Sequence, residues 1–261
     1  MIHDMKLKII TLNVWHGGRL WDETIEFLKH EDPDILLMQE VFNHHDPSLE
    51  PRFRTMDEFN KIFEFVDSDF APSCMFVEDF GKVESGLAIF TKLPIVKRYE
   101  PIFFNEPFND NYVDDENGPP TAPRNLQHIV IDVHDISLDV LNLQGVWDLD
   151  GENDSQRRLH MSQIIVDAIK DKQNVVLGGD TNVRPNTQTI RNIEKHLNNV
   201  FGHELKTTFN VSRKDNPKLK AGYAESVVDM FFVSPHLRVV DHYCPDVDVS
   251  DHLPLVITLD I

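Results

Sequence analysis

Gln173-Asn174-Val175-Val176-Leu177-Gly178-Gly179-Asp180-Thr181-Asn182 is the stretch from which the fold can be read. Val175 to Leu177 is a short run of strand-forming apolar residues, the pattern of a strand buried on both faces. Gly178 and Gly179 follow, where the backbone can turn sharply and a neighbour can approach closely. Asp180 and Asn182 then stand two residues apart, so that in extended chain both side chains leave from one face. A β-turn with Asp and Asn in ordinary turn roles fits the same letters. The choice between turn and site depends on whether the pattern recurs, and it does. Apolar runs also end in, or carry, polar residues at Asn13, Glu40, Asp229 and Asp251-His252.

Working outward, Lys6 to Trp15 reads as a strand, followed by a helix capped by Asp22 and ended by Pro33. Asp34 to Val41 is a second buried strand that ends in Gln39-Glu40. Apolar spacing predicts a helix over Thr55 to Val66, with Met56, Phe59, Ile62, Phe63 and Val66 facing inward. Strands are expected at Ser73 to Val77, Ser85 to Thr91 and Ile95 to Phe104. Asn105 to Pro123 is a long irregular segment carrying Glu106, Asp110, Asp114, Asp115 and Glu116 without a Lys or Arg, and reads as a solvated loop. Asn125 to Val133 and Ile136 to Gln144 form a hairpin turning at His134-Asp135. Ser155 caps a helix running to Lys172, and Thr187 to Leu197 is another. Strands follow at Val227 to Val233, Leu237 to Tyr243 and Leu255 to Ile261. Strands interspersed with helices, with no repeat or composition break, predict one α/β (α+β) domain over residues 1–261.

The 261 residues carry a formal charge of −19. So acidic a chain is repelled at long range by nucleic-acid backbones and anionic membranes, though a local basic patch remains compatible with it. No apolar run reaches membrane-spanning length, and the N-terminus lacks the charged and apolar regions of a signal peptide. Cys74 and Cys244 are far apart and form no metal-type pair, so reduced thiols in a cytoplasmic protein are expected.

Taken together, Thr11-Leu12-Asn13-Val14-Trp15, Leu37-Met38-Gln39-Glu40-Val41, Ser85-Gly86-Leu87-Ala88-Ile89-Phe90, Gly178-Gly179-Asp180-Thr181-Asn182, Val228-Asp229-Met230-Phe231-Phe232 and Ser250-Asp251-His252-Leu253-Pro254 come in a telling order. In that order they resemble the endonuclease/exonuclease/phosphatase superfamily, the DNase I-like fold. The resemblance spans about residues 6–261. It implies a four-layer αββα sandwich of two stacked, mostly antiparallel sheets with the site at one end. It also implies a divalent cofactor, Mg²⁺ or Mn²⁺, held by Glu40 with Asn13 beside it and Asp251 able to join. Hard oxygen donors suit those ions. Asp180 is then the general base for water, Asn182 a contact to phosphoryl oxygens or to that water, and His252 the stabiliser of developing charge. Asp229 and Asp251 would orient histidine and metal.

One position departs from the pattern. Many members carry a histidine at the end of the strand that here reads Val140-Leu141-Asn142-Leu143-Gln144. Glutamine can donate a hydrogen bond to phosphate but cannot transfer a proton. Asn13, Arg124 and Gln144 are the candidate substrate contacts, Arg124 also reading as an ordinary surface arginine. Lys206 to Gly222 sets Lys206, Arg213, Lys214, Lys218 and Lys220 against Asp215, a segment that could grip a polyanion or be a solvated loop. The expected activity is a metal-dependent, nuclease-like phosphodiesterase acting by water attack on a phosphoester, with nucleic acid among the candidate partners. The alternatives are hydrolysis of a small-molecule or lipid phosphoester, and a catalytically impaired binding protein that keeps the fold. The Gly-Gly-Asp-Thr-Asn-Val-Arg run also resembles the corresponding motif of tyrosyl-DNA phosphodiesterases.

Overall fold

The computed structural model describes residues 5–113, 121–134, 136–148, 153–213 and 225–261. Asp114, Asp115 and Glu116 of the acidic loop, Asp135 of the hairpin turn, and Lys214, Asp215, Lys218 and Lys220 of the basic segment lie outside the described residues.

Two parallel strand pairs sit at the centre of the molecule. β1 (Lys6–Asn13) and β2 (Ile35–Asn43) pair in parallel across helix α1 (Trp21–Glu31). β9 (Ile136–Gln144) and β10 (Val175–Asp180) do the same across α3 (Gln156–Ile169). A parallel pair needs such a crossover, which lays a helix on the outer face of each sheet. The remaining strands are β3 (Asp67–Glu78), β4 (Gly81–Thr91), β5 (Ile95–Arg98), β6 (Ile102–Phe103), β7 (Asn109–Tyr112), β8 (Asn125–Val133), β11 (Asn198–Asn199), β12 (Asp229–Val233), β13 (Arg238–Tyr243) and β14 (Leu255–Asp260). One sheet runs β13-β14-β1-β2-β4-β3-β7, and the other β11-β12-β10-β9-β8-β5 with β6 also on β8. Helices α2 (Thr55–Ile62) and α4 (Gln188–Glu194) complete the outer layers. This is the expected sandwich of two mostly antiparallel sheets flanked by helices.

The layers follow from side-chain alternation. Leu7, Ile9, Leu37, Ile131, Val140, Val176, Phe231 and Ile257 fill the space between the sheets. Ile10, Leu12, Leu36 and Met38 point the other way, onto Ile25 and Leu28 of α1 and Phe59 of α2. Leu141, Leu177 and Phe232 likewise meet Met161 and Ile165 of α3 and Ile190 of α4. Gly178 lies where the sheets approach each other: a Cβ there would stand 2.6 Å from Phe231 and 2.8 Å from Leu37.

Several element boundaries differ from expectation. The two glycines do not turn the chain; β10 runs through them to Asp180. Gly179 has φ +143°, and a Cβ on it would stand 2.1 Å from the Leu143 carbonyl oxygen, so the neighbouring strand requires glycine there. Helix α1 is capped at Leu20 with no side-chain cap bond, rather than at Asp22. Helix α2 stops at Ile62, and Val66 is 65 % exposed, because the chain turns there into the long strand β3. The acidic loop contains strand β7, which pairs with β3. The Ser155 cap is present, its side chain accepting from the Arg158 N–H. Cys74 and Cys244 form no disulfide among the described residues. No described helix is long and apolar enough to cross a membrane.

Candidate active site

The central strands deliver their last residues to one end of the sandwich. Asn13 ends β1, Gln144 ends β9, Asp180 ends β10 and Glu40 lies near the end of β2. Asp229 opens β12, the antiparallel neighbour of β10, and pairs directly with Asp180. His252 precedes β14, the antiparallel neighbour of β1. Strand direction alone therefore gathers residues that are up to 239 positions apart in sequence, from Asn13 to His252.

The backbone is bent to aim them. The register of β2 against β4 shifts between Met38 and Val41, a bulge that holds Glu40. Glu40 has φ 60°, Trp15 60°, His16 45° and Asn182 54°. Left-handed backbone at non-glycine residues costs about 1–3 kcal/mol each and gathers at functional sites.

Asn13 joins the two sheets. Its Nδ2 donates to Glu40 Oε1 at 3.1 Å and to Asp180 Oδ2 at 3.2 Å. The Glu40 carboxylate also accepts from the His16 N–H at 2.9 Å and from Gln144 Nε2 at 2.9 Å. Burial would raise its pKa, but the fields of His16 and Arg124, the His16 N–H and the Asn13 amide hold it well below the usual carboxylate range. Glu40 is thus a fixed anion.

Asp180 behaves in the opposite sense. Burial raises its pKa to about 6, with the charges of Asp229 and Glu40 adding to the rise and His252 and the Asn182 N–H opposing it. Asn182 donates its backbone N–H to Asp180 Oδ1 at 2.9 Å, and its side-chain Nδ2 to Asp180 Oδ2 at 3.2 Å and to the Gly145 carbonyl at 3.0 Å. Those amide hydrogens are engaged, so Asn182 orients Asp180 instead of presenting free donors. His252 Nδ1 lies 2.9 Å from Asp229 Oδ2. Burial lowers its pKa, but the Asp229 charge and hydrogen bond, then Asp251 and Asp180, raise it to about 9. Phe209 packs edge-on against the imidazole, with ring centroids 4.8 Å apart. Thr208 Oγ1 accepts from the Asp229 N–H at 3.1 Å.

Asp251 is buried beside this pair, its Oδ1 accepting from Ser250 Oγ at 3.3 Å. Arg124 Nη1 donates to Gln144 Oε1 at 2.5 Å, while its buried Nε has no hydrogen-bond partner among the described residues. Gln144 therefore bridges Arg124 to Glu40, with one end of its amide on each. Arg213 is tied to Asp248, on the rim, and does not present a free cation. Sequence reasoning missed His16, Thr208 and Phe209. The Gly-Gly after Trp15-His16 was the only signal for the first, and ordinary loop letters hid the other two.

Four carboxylates converge here, and their mutual repulsion contributes to the raised Asp180, so the cluster suits a divalent cation. Among the described residues the one group of three His, Cys, Asp or Glu ligand atoms within 4.8 Å is Asp180, Asp229 and His252. Asp251 does not join Glu40 in such a group.

The sequence profile described as the Endonuclease/Exonuclease/phosphatase family matches residues 10–252. The chain belongs to that family. No curated protein matches it in sequence. Among solved structures, it is similar to an endonuclease/exonuclease/phosphatase from Beutenbergia cavernae at 16 % identity and TM-score 0.70, covering 98 % of this chain and 72 % of that one. It is similar to a mannosyl-6-phosphatase from Bacteroides thetaiotaomicron at 19 % identity and TM-score 0.70, covering 97 % and 99 %. Truncated Caenorhabditis elegans TDP2 aligns at 17 % identity and TM-score 0.67, covering 98 % of each chain. At these identities the likeness is one of fold.

Proposed function

We propose that the protein is a divalent-metal-dependent phosphodiesterase that breaks a phosphorus–oxygen ester bond by attack of water. The observation that carries this reading is a base and an acid on either side of neutral pH beside a fixed anion: Asp180 raised to about 6 and His252 raised to about 9, next to ionised Glu40. Groups whose surroundings push their pKa values apart divide acid and base work between them. At neutral pH Asp180 is ionised and takes the proton of the attacking water. His252 is cationic, stabilises the charge developing on phosphoryl oxygen, and can return a proton to the departing alkoxide. Asp229 holds its ring, and Asn182 and Asn13 hold the base. Gln144 keeps Arg124 and Glu40 in register.

Glu40 is the ligand we assign to Mg²⁺ or Mn²⁺, because it offers carboxylate oxygen and these ions prefer it, with Asn13 beside it holding that carboxylate through Nδ2 while its own Oδ1 accepts from the Trp15 N–H. When bound, the cation supplies Lewis-acid polarisation of phosphate and charge neutralisation. A second placement is favoured by one observation, the Asp180, Asp229 and His252 ligand atoms within 4.8 Å of one another. That set would consume the base and the acid together, and its imidazole suits softer ions. For that reason we prefer Glu40.

The relatives of this fold include a mannosyl-6-phosphatase and TDP2, so the fold does not choose between small-molecule and nucleic-acid substrates. Hydrolysis of bis(p-nitrophenyl) phosphate with Mg²⁺ or Mn²⁺, abolished by a chelator and by Glu40→Gln, tests the reaction. Absence of turnover with either ion would leave a binding protein as the better account.

A further inference from the structure

Beside Glu40 the site continues into a partly enclosed cavity of about 80 Å³. Glu40, Gln144, Phe76, Tyr112, Ser85 and Arg124 are among the residues that line it. None of Asp180, Asp229 or His252 lines it. A group attached to a phosphate held at Glu40 can therefore enter this cavity while the phosphorus stays beside the base and the acid.

Three features limit what that group can be. The first is size. One water needs about 10–15 Å³ of such space, so the cavity holds about six non-hydrogen atoms. A pocket for a nucleoside or a lipid tail would fall in the range of roughly 300–1,000 Å³. The second is charge. The ionised Glu40 carboxylate disfavours a further anion. The Arg124 guanidinium keeps its charge when it donates to the neutral Gln144 oxygen, so Glu40 and Arg124 set opposite charges on the cavity, and a neutral polar group meets no net repulsion there. The third is polarity. The cavity is lined by Ser85 and by Ser73, whose hydroxyl donates to Asn125 Oδ1 at 3.3 Å, and lies against Arg124, whose buried Nε has no partner among the described residues. A buried N–H without a partner costs about 1–3 kcal/mol, which a bound hydroxyl would recover. The Phe76 and Tyr112 rings, 5.6 Å apart, leave apolar surface for carbon.

Building on the catalytic reading above, we propose that this cavity is the subsite for one ester substituent of the phosphate, and that it selects a compact, neutral, hydroxylated group such as a glycerol or the near end of a sugar. The substrate class is then a small polyol phosphoester. The acidic bulk of the chain fits that class better than a polyanion.

Calorimetry in the presence of Mg²⁺ tests this by comparing methyl phosphate, glycerol 1-phosphate and thymidine 5′-phosphate. The wild-type protein should bind glycerol 1-phosphate at least about tenfold more tightly than methyl phosphate, the worth of one or two hydrogen bonds. Ser85→Leu, which fills the cavity, should bring that ratio close to one. Tyr112→Ala, which removes a wall residue near the surface, should lower it as well and guards against misfolding of the first variant. Equal affinity for the methyl and glycerol esters in wild type would overturn the proposal. So would a preference that survives both substitutions, or a thymidine 5′-phosphate affinity well above that for the glycerol ester. Binding is read without turnover, so failure to hydrolyse bis(p-nitrophenyl) phosphate would count against the catalytic reading alone.

Discussion

Asp229→Asn replaces the carboxylate 2.9 Å from His252 Nδ1 by a neutral group of the same shape. In the native protein burial lowers the His252 pKa, and the charge and hydrogen bond of Asp229, with Asp251 and Asp180 behind them, raise it from 6.5 to about 9. Each pKa unit corresponds to about 1.4 kcal/mol, so the rise is worth about 3 kcal/mol as an upper bound. The side chains are only 5 % and 3 % exposed, so solvent screening removes little of it. A histidine whose folded pKa is raised stabilises the fold fully below its unfolded value near 6.5, and that contribution disappears as pH passes about 9. With the two largest raising causes gone, burial should pull His252 to or below 6.5. The variant should then lose up to about 3 kcal/mol near pH 6 and almost nothing near pH 10. Asp180 returns little of the loss, because the variant removes the Asp229 charge that raises its pKa and, once the imidazole is neutral, also the larger His252 charge that lowers it. Turnover should fall about 10²-fold or more, since an unheld, neutral imidazole is a poorer donor. The assay is imidazole nitrogen NMR titration of His252 together with denaturant unfolding at several pH values. A His252 pKa still near 9 in the variant, or equal destabilisation at pH 6 and pH 10, would show that Asp229 does not hold the imidazole in its cationic form.

The pH profile of kcat/KM should rise as Asp180 ionises through about 6 and fall as His252 loses its proton through about 9, with the lower limb absent from the residual activity of Asp180→Asn. A profile that is flat between pH 5 and pH 10 would remove both assignments. Gln144→His should raise kcat less than tenfold, because Gln144 already bridges Arg124 to Glu40; a larger gain measured by steady-state kinetics would mean that a proton donor is missing at that position. Gly179→Ala should destabilise the protein by several kcal/mol or prevent folding, because φ is +143° and the Leu143 oxygen lies 2.1 Å from a Cβ; an unfolding midpoint like wild type would show that the strand can shift.

The central strands were legible because their apolar runs are long and end abruptly in polar residues. The β8–β9 hairpin bounds, Asn125–Val133 and Ile136–Gln144, match the pattern of turn letters at His134-Asp135. Short or exposed elements were less legible. β7 is the tetrapeptide Asn-Asp-Asn-Tyr, which has little strand propensity and forms by pairing with β3. The helix expected to reach Val66 ended early because the Phe63–Phe65 segment turns back to pack on Phe90. The identities of Asn13, Glu40, Asp180, Asp229 and His252 were legible as an ordered set. Their partnerships were not: that Asn13 links Glu40 to Asp180, or that Gln144 carries Arg124 on its oxygen, depends on sheet stacking that no local pattern encodes. The same stacking engages the Asn182 amide with Gly145 and Asp180, a pair of contacts that no local pattern announces.

In the proposed mechanism Glu40 holds the cation and His252 holds a proton. Calorimetric titration of Mg²⁺ and Mn²⁺ into wild type, Glu40→Gln and His252→Ala separates the two most directly. Glu40→Gln should lose most of the affinity, and His252→Ala should bind the ions as wild type does while turning over substrate about 10²–10³-fold more slowly. Unchanged affinity in Glu40→Gln together with lost affinity in His252→Ala would place the cation among Asp180, Asp229 and His252 and contradict the claim.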